Sequence, residues 1–320
     1  MIQLRKLGHS DLEVSPIGLG VMQFAGGSGA IQAVNPALPE ETRIEIVKTA
    51  MEGGINWFDT AELFGAGRSE KYLPEALEKL GDISQRAIIA TKWSSYLRFA
   101  GNIKKTIQER LDKLSPYSIG LYQIHNPKSF SSPKAEMNAM ADLVNDGKIR
   151  AVGVSNFNSD QMRVAQDTLE KRGLGLASNQ VYYNLLNRKI EFNGVLETAR
   201  ELGISLIAWA PLESGILTGK FHKNPEILTR IPAVRRKRLE KQLEASRSVI
   251  EVLYEIASKY GSEPAQVALA WLINQGQDIV AVTGASRVGH VLEGIGAMKL
   301  QLSEEDITRL DQVSRKSKED

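Results

Sequence analysis

Eight short apolar stretches, centred near residues 18, 57, 89, 122, 152, 180, 207 and 281, alternate along the chain with segments whose apolar residues recur at helical spacing. That alternation leaves few architectures open. Strands joined by helices run parallel and need helices against their faces. Eight of them in one chain of 320 residues indicate a closed (β/α)8 TIM barrel more than a doubly wound open sheet. Residues 2–18 read as an N-terminal β-hairpin turned at Gly8 to Asp11. No Gly/Pro/Ser linker interrupts the repeat, so residues 1–320 read as one α/β barrel domain with extra helices.

Within the repeat, Ser69 reads as the start of a helix whose first turns Pro74 makes irregular, and Ser303 with Asp306 as a capping box for the last helix. Residues 24–39, with Gly26, Gly27, Gly29, Pro36 and Pro39, read as a flap near a ligand. A long connection is expected between Leu212 and Val249.

Charge and composition remove several classes of function. A formal charge of +2 implies neither a nucleic-acid nor a membrane partner, and Arg235-Arg236-Lys237-Arg238 beside Glu240 and Glu244 reads as a solvated helix face. There is no cysteine, and His9, His125, His222 and His290 lack ligand spacing, so no metal site is expected. No run approaches the ~20 apolar residues of a membrane span, and no leader-like segment opens the chain; a cytoplasmic protein is the expectation.

In a parallel barrel the chemistry gathers where the strands end. Asp59, Lys92, His125, Ser155 with Asn156, Gln180, Trp209 and the turn Gly284-Ala285-Ser286-Arg287 fall there in order. Taken singly, a strand-end acid or lysine is more often half of a structural ion pair, and a lone histidine a hydrogen-bonded core residue. Taken in succession, they are hard to explain as separate accidents. Asp59 and Lys92 would compensate each other's burial, and His125 would donate to a carbonyl oxygen. Ser155, Asn156 and Gln180 supply the neutral donors and acceptors a carboxamide needs, and Trp209 a face for stacking. The turn ending in Arg287 opens a helix and suits a phosphate.

The segments Asn56-Trp57-Phe58-Asp59-Thr60-Ala61, Thr91-Lys92, Gln123-Ile124-His125, Gly153-Val154-Ser155-Asn156-Phe157 and Pro211-Leu212 through Gly215-Ile216-Leu217-Thr218-Gly219-Lys220 resemble the aldo-keto reductase family over essentially the whole chain. The resemblance is to the branch with bacterial general-stress reductases and potassium-channel β-subunits. It implies a (β/α)8 barrel, an NADP(H) cofactor bound without a Rossmann fingerprint, and reduction of small-molecule aldehydes or ketones. By the same resemblance Asp59, Lys92 and His125 match three members of the catalytic tetrad. Ser155, Asn156, Gln180 and Trp209 match the nicotinamide contacts. Pro211, Leu212, Gly215 and Lys220 lie where the pyrophosphate is covered, and Gly284, Ser286, Arg287 and His290 lie around the adenosine phosphate. Met22, Phe24, Trp57 and Trp93 would line the substrate side.

Two positions depart from the family pattern. Gly294 stands where an asparagine is often found, which loosens the preference for NADPH. Phe64 stands where the family keeps its proton-donating tyrosine, in Ala61-Glu62-Leu63-Phe64-Gly65. Two explanations remain open for it: a deliberate, engineered Tyr-to-Phe substitution made to hold a complex without turnover, or a natural variant with His125 or water as the acid. A non-turnover, nicotinamide-binding redox sensor or regulatory subunit is the alternative function. A Schiff-base aldolase using Lys92 leaves Trp209, Gln180 and Arg287 without a role.

Overall fold

Side chains on a strand point alternately to its two faces, and in this wall that parity separates a helix-facing core from the barrel interior. The computed structural model describes residues 2–26, 37–230 and 233–316. Strands β1 (Arg5–Lys6) and β2 (Glu13–Val14) pair antiparallel. The barrel follows, from β3 (Ile17–Gly20), β4 (Trp57–Asp59), β5 (Ile88–Trp93), β6 (Ile119–Ile124) and β7 (Ile149–Ser155) to β8 (Leu176–Tyr182), β9 (Ser205–Trp209) and β10 (Ile279–Gly284). Each strand pairs parallel with the next, and β10 closes on β3 with Ala281 opposite Ile17 and Gly284 opposite Gly20. The fold is a (β/α)8 barrel with an N-terminal hairpin, as the alternation predicts.

Helices α1 (Met22–Ala25) and α2 (Glu40–Glu52) both follow β3, and α3 (Arg68–Glu78), α4 (Gly101–Leu114), α5 (Pro133–Asn145), α6 (Ser159–Glu170) and α7 (Val195–Glu201) follow β4 to β8 in turn. After β9 come α8 (Lys220–Lys223), α9 (Ala233–Tyr260) and α10 (Pro264–Ile273), and after β10 come α11 (Val288–Lys299) and α12 (Glu304–Lys316). The long connection expected up to Val249 is shorter than predicted, because α9 already starts at Ala233 and takes in the basic cluster; Lys237 is exposed there and Leu239 buried. Residues 27–36, most of the expected flap, lie outside the described residues, and Met22–Ala25 form a helical turn. Ser69 does not cap α3. The helix begins one residue earlier, and the buried Ser69 hydroxyl donates to Val21 O (2.7 Å) while accepting from Thr60 Oγ1 (2.9 Å), tying the ends of β3 and β4 to the helix. Pro74 sits inside a continuous α3. Ser303 does cap α12 through Asp306 N (3.2 Å), but its own N–H goes to Tyr260 Oη (2.9 Å), so the box closes on one side only.

The interior side chains Trp57, Ala90, Leu121, Ala151, Ala177, Ile207 and Val280 pack with Leu7, Leu12 and Val14, so the hairpin plugs the end opposite the strand C-termini. Hydrogen bonds from Gly8 N to Ser205 Oγ (2.8 Å) and from Arg5 to Ile273 O (2.8 Å) and Gly276 O (3.0 Å) fasten the plug. Trp57 belongs to this floor: its indole donates to Ser15 O (3.0 Å). A Cβ on Gly18 would lie 2.1 Å from that indole, so glycine here is a packing requirement. Gly18→Ala is expected to cost about 1–3 kcal/mol by overpacking, read as a lower urea midpoint at unchanged slope. An unchanged midpoint would show that the indole yields freely.

Candidate active site

β4 and β5 are neighbours in register, Asp59 opposite Ala90, which brings the inward side chains of Asp59 and Lys92 together at the strand ends. Lys92 Nζ lies 2.5 Å from Asp59 Oδ2 and donates to Thr60 O at 2.9 Å, and both side chains are almost fully buried. Asp59 Oδ1 also accepts from the amides of Gln123 (3.4 Å) and Gln180 (3.3 Å). Burial pulls the Lys92 ammonium below its ordinary pKa, and Asp59 and Glu70 oppose that pull. Over this pair stands the Phe64 ring, its centroid 5.3 Å from Nζ. His125 meets Phe64 edge-on, with centroids 5.8 Å apart. The four residues expected to form the catalytic group are thus brought together.

Burial first, and then the Lys92 charge, lowers His125 to about 4. The imidazole is therefore neutral near pH 7, and Nδ1 is sealed off without a partner among the described residues. A neutral ring can donate one hydrogen bond, but it has no spare proton to give.

Beside them runs a preorganised polar chain. Asn156, at φ +61°, donates through its amide to Ser155 Oγ (3.0 Å) and Asn126 Oδ1 (3.2 Å), and accepts from Trp209 Nε1 at 3.1 Å. Ser155 Oγ donates to Gln180 O (2.9 Å). Tyr182 stacks on one face of Trp209, centroids 4.4 Å apart, and its hydroxyl is held by the buried Glu213 carboxylate. After Pro211 and Leu212 the backbone turns through Glu213, Ser214 and Gly215 at φ +47°, +55° and +92°. Gly215 is suited to that left-handed conformation, and a Cβ there would approach Lys220 Nζ to 3.1 Å. Ser286, Arg287 and His290 cluster at the start of α11, where Arg287 Nε donates to His290 Nε2 (3.1 Å). Burial first, and then the Arg287 and Lys220 charges, hold His290 below its usual range. Gly284 is covered by the Gln23 side chain, whose Oε1 is buried without a partner among the described residues.

Residues 16–315 match the aldo/keto reductase family. The chain belongs to that family. It is 30% identical to a chloroplastic pyridoxal reductase of Arabidopsis thaliana, over 98% of this chain and 87% of that protein. It is 29% identical to a 6-dehydroglucose reductase of Novosphingobium aromaticivorans, over 94% and 92%. The crystal structure of a thermostable aldo-keto reductase in complex with the inhibitor epalrestat superposes with a TM-score of 0.76 at 27% identity, covering 98% of this chain and all of that one. The chain is accordingly an oxidoreductase by family, and no helix among the described residues is long and apolar enough to cross a membrane.

For an aldo-keto reductase barrel, three of the four expected substrate-side residues need correction. Trp57 lies in the floor, Trp93 faces the helices with its indole on Asn102 Oδ1 (2.9 Å), and Phe24 is in the helix-side core; none has surface to offer a ligand. Only Met22 is exposed. Exposed aromatics in the loops that follow strands include Tyr96 and Phe99 after β5, Phe130 after β6 and Phe192 after β8, with Phe99 and Phe130 rings 5.3 Å apart. Gln23, Gln123, Tyr182 and Glu213 were also missed; Gln123 lay in plain view two residues before His125, sharing its face.

Direct NMR titration should find the His125 ring with a midpoint near 4, far below the ordinary 6.5. The sign follows: His125 contributes stability above pH 6.5 that is lost as pH falls through about 4, so His125→Asn should flatten that part of the acid-unfolding profile. A midpoint near 6.5 would refute the buried, neutral ring.

Proposed function

We propose that this barrel binds NADP(H) and is built for reduction of aldehydes or ketones to alcohols, with turnover curtailed by Phe64. The observation that carries the reading is the buried Lys92–Asp59 pair beneath the Phe64 ring, with His125 at its edge. The cofactor fits the donor set: Lys220 and Arg287 near a helix start suit phosphates, and the Asn156–Ser155 chain beside Trp209 suits a carboxamide and its ring. Bound reduced nicotinamide supplies hydride. The chain's residues do the rest: His125 donates a hydrogen bond to the carbonyl oxygen, and the Lys92 charge favours the alkoxide that develops. The oxygen still needs a proton. Phe64 has none, and a neutral His125 is a poor source, so solvent must provide it. Exposed Tyr96, Phe99 and Phe130 suit an apolar substrate.

Phe64 also favours a second reading, a nicotinamide-binding sensor that does not turn over. One substitution separates the two. Phe64→Tyr should raise NADPH-dependent carbonyl reduction by at least about a hundredfold, because a positioned general acid contributes ~10²–10⁴. NADPH affinity should barely move, since the ring is conserved. Lys92→Met in that background should abolish the gain, as the ammonium lowers the phenol's pKa. A Phe64→Tyr rate within a few fold of the parent over a broad aldehyde panel would put the sensor ahead.

Cofactor choice has its own test. Arg287→Ala should weaken NADPH by about tenfold or more, the size of a charge-assisted contact, and NADH far less. Equal weakening of both would remove Arg287 from the 2′-phosphate.

A further inference from the structure

On the helix side of β4 and β5 lies a buried charged cluster that the chemistry above does not use. Arg110 of α4 is 3% exposed, between two buried carboxylates: its Nη1 is 2.8 Å from Glu62 Oε2 and its Nε 3.1 Å from Glu70 Oε2. Nη2 reaches Glu109 Oε1 at the surface (2.5 Å). Glu62 Oε1 further accepts the backbone N–H of Ser94 and Arg98 Nη1 (2.6 Å), and Glu70 Oε1 accepts Thr91 Oγ1 (2.7 Å). The ties to Glu62, Thr91 and Ser94 lead to segments that carry the site. Glu62 sits two residues before Phe64, in the turn closed by Phe64 N to Ala61 O (3.0 Å). Thr91 and Ser94 bracket Lys92, and Trp93 O accepts the N–H of His125 at 3.0 Å.

Holding α4 to the wall does not call for such a cluster. Two carboxylates and a guanidinium out of water are expensive, and apolar side chains of similar volume generally hold a helix as well or better. Glu70 shows the strain: burial pushes its carboxyl up to about 7 against the pull of Arg110. What charges provide and methyl groups do not is a defined geometry. A guanidinium is a rigid planar fork: its hydrogen bond to Glu62 orients that acid, and its ion pair with Glu70, which lacks hydrogen-bond geometry, sets the separation of the two acids.

We propose that Arg110 is a positioning residue: by gripping Glu62 and Glu70 from behind the barrel wall, it sets where the ring at position 64 stands over Lys92 and against His125. It touches neither substrate nor cofactor. Its effect passes through Glu62 into the 61–65 turn, with Thr91 and Ser94 holding β5 to the same frame. Any consequence for turnover rests on the reductase reading above, whereas the geometric claim does not.

The test therefore has two arms. In the chain as it stands, the His125 ring proton signals feel the edge-on Phe64 ring, and Phe64→Leu identifies that contribution. Arg110→Met should move the His125 signals toward their Phe64→Leu positions while those of His9, His222 and His290 stay put. Glu62→Gln, which keeps the volume and an acceptor for Ser94 N–H but loses the charge, should do the same. A folded variant of either kind with unmoved His125 signals overturns the proposal, and so does failure of both variants to fold, which would make the cluster a folding element alone. In the Phe64→Tyr background, Arg110→Met should lower kcat about tenfold or more, as misplacement of a reacting group does, with KM for NADPH nearly unchanged. A loss confined to KM overturns it. A Phe64→Tyr parent without turnover sinks the reductase reading instead, and the NMR arm still decides the placement of the ring.

Discussion

Lys92 and Asp59 each lose their water when β4 and β5 come together, and each is tolerable there only because the other stands 2.5 Å away. Much of the surrounding architecture serves that contact. Gln123 and Gln180, from β6 and β8, turn their amides inward to the second carboxylate oxygen, and Thr60 O takes a further ammonium proton. The pair in turn fixes the electrostatics above it: the Lys92 charge helps keep His125 neutral, and the ring of residue 64 lies over the ammonium. A buried cation so held presents its field to the end of the barrel where the strands stop.

The fold was legible because eight strands separated by helices admit few closures, and the strand-end residues because each sits where an apolar run stops. Depth and direction were harder to read. Trp93 is the immediate neighbour of Lys92, so on a strand it had to face the other way, toward the helices. Trp57 shares the face of Asp59 but lies two residues, roughly 7 Å, deeper. Both rings look like substrate aromatics in the one-letter string and neither reaches the mouth. The Glu62–Arg110–Glu70 cluster was illegible for another reason: charged residues in amphipathic helices normally face water, and nothing local marks Arg110 as the one that turns inward.

The barrel also divides its labour along its axis. The floor is made of apolar contacts, with an indole seated on a glycine and a hairpin sealing the end. The opposite end carries the strained backbone: Asn156, Ala210, Glu213 and Ser214 are non-glycine residues at positive φ, all close after strands β7 or β9. Such conformations persist only where a stiff scaffold imposes them, and the packed floor and closed wall supply that stiffness.

The closing pair β3–β10 has a consequence for how the molecule comes into being. Ile17 finds its partner in Ala281, more than two hundred and sixty residues later in the chain, and Arg5 is held by the carbonyls of Ile273 and Gly276. A growing chain emerging from the ribosome can pair β3 through β9 in turn, but it carries two raw sheet edges and an unfastened plug until nearly its last strand has been made. Until then each edge is a template for a neighbouring chain. Synthesis of this barrel is therefore a race between the final strand and aggregation, and its outcome depends on translation speed and on what shields β3 and β9 in the interval.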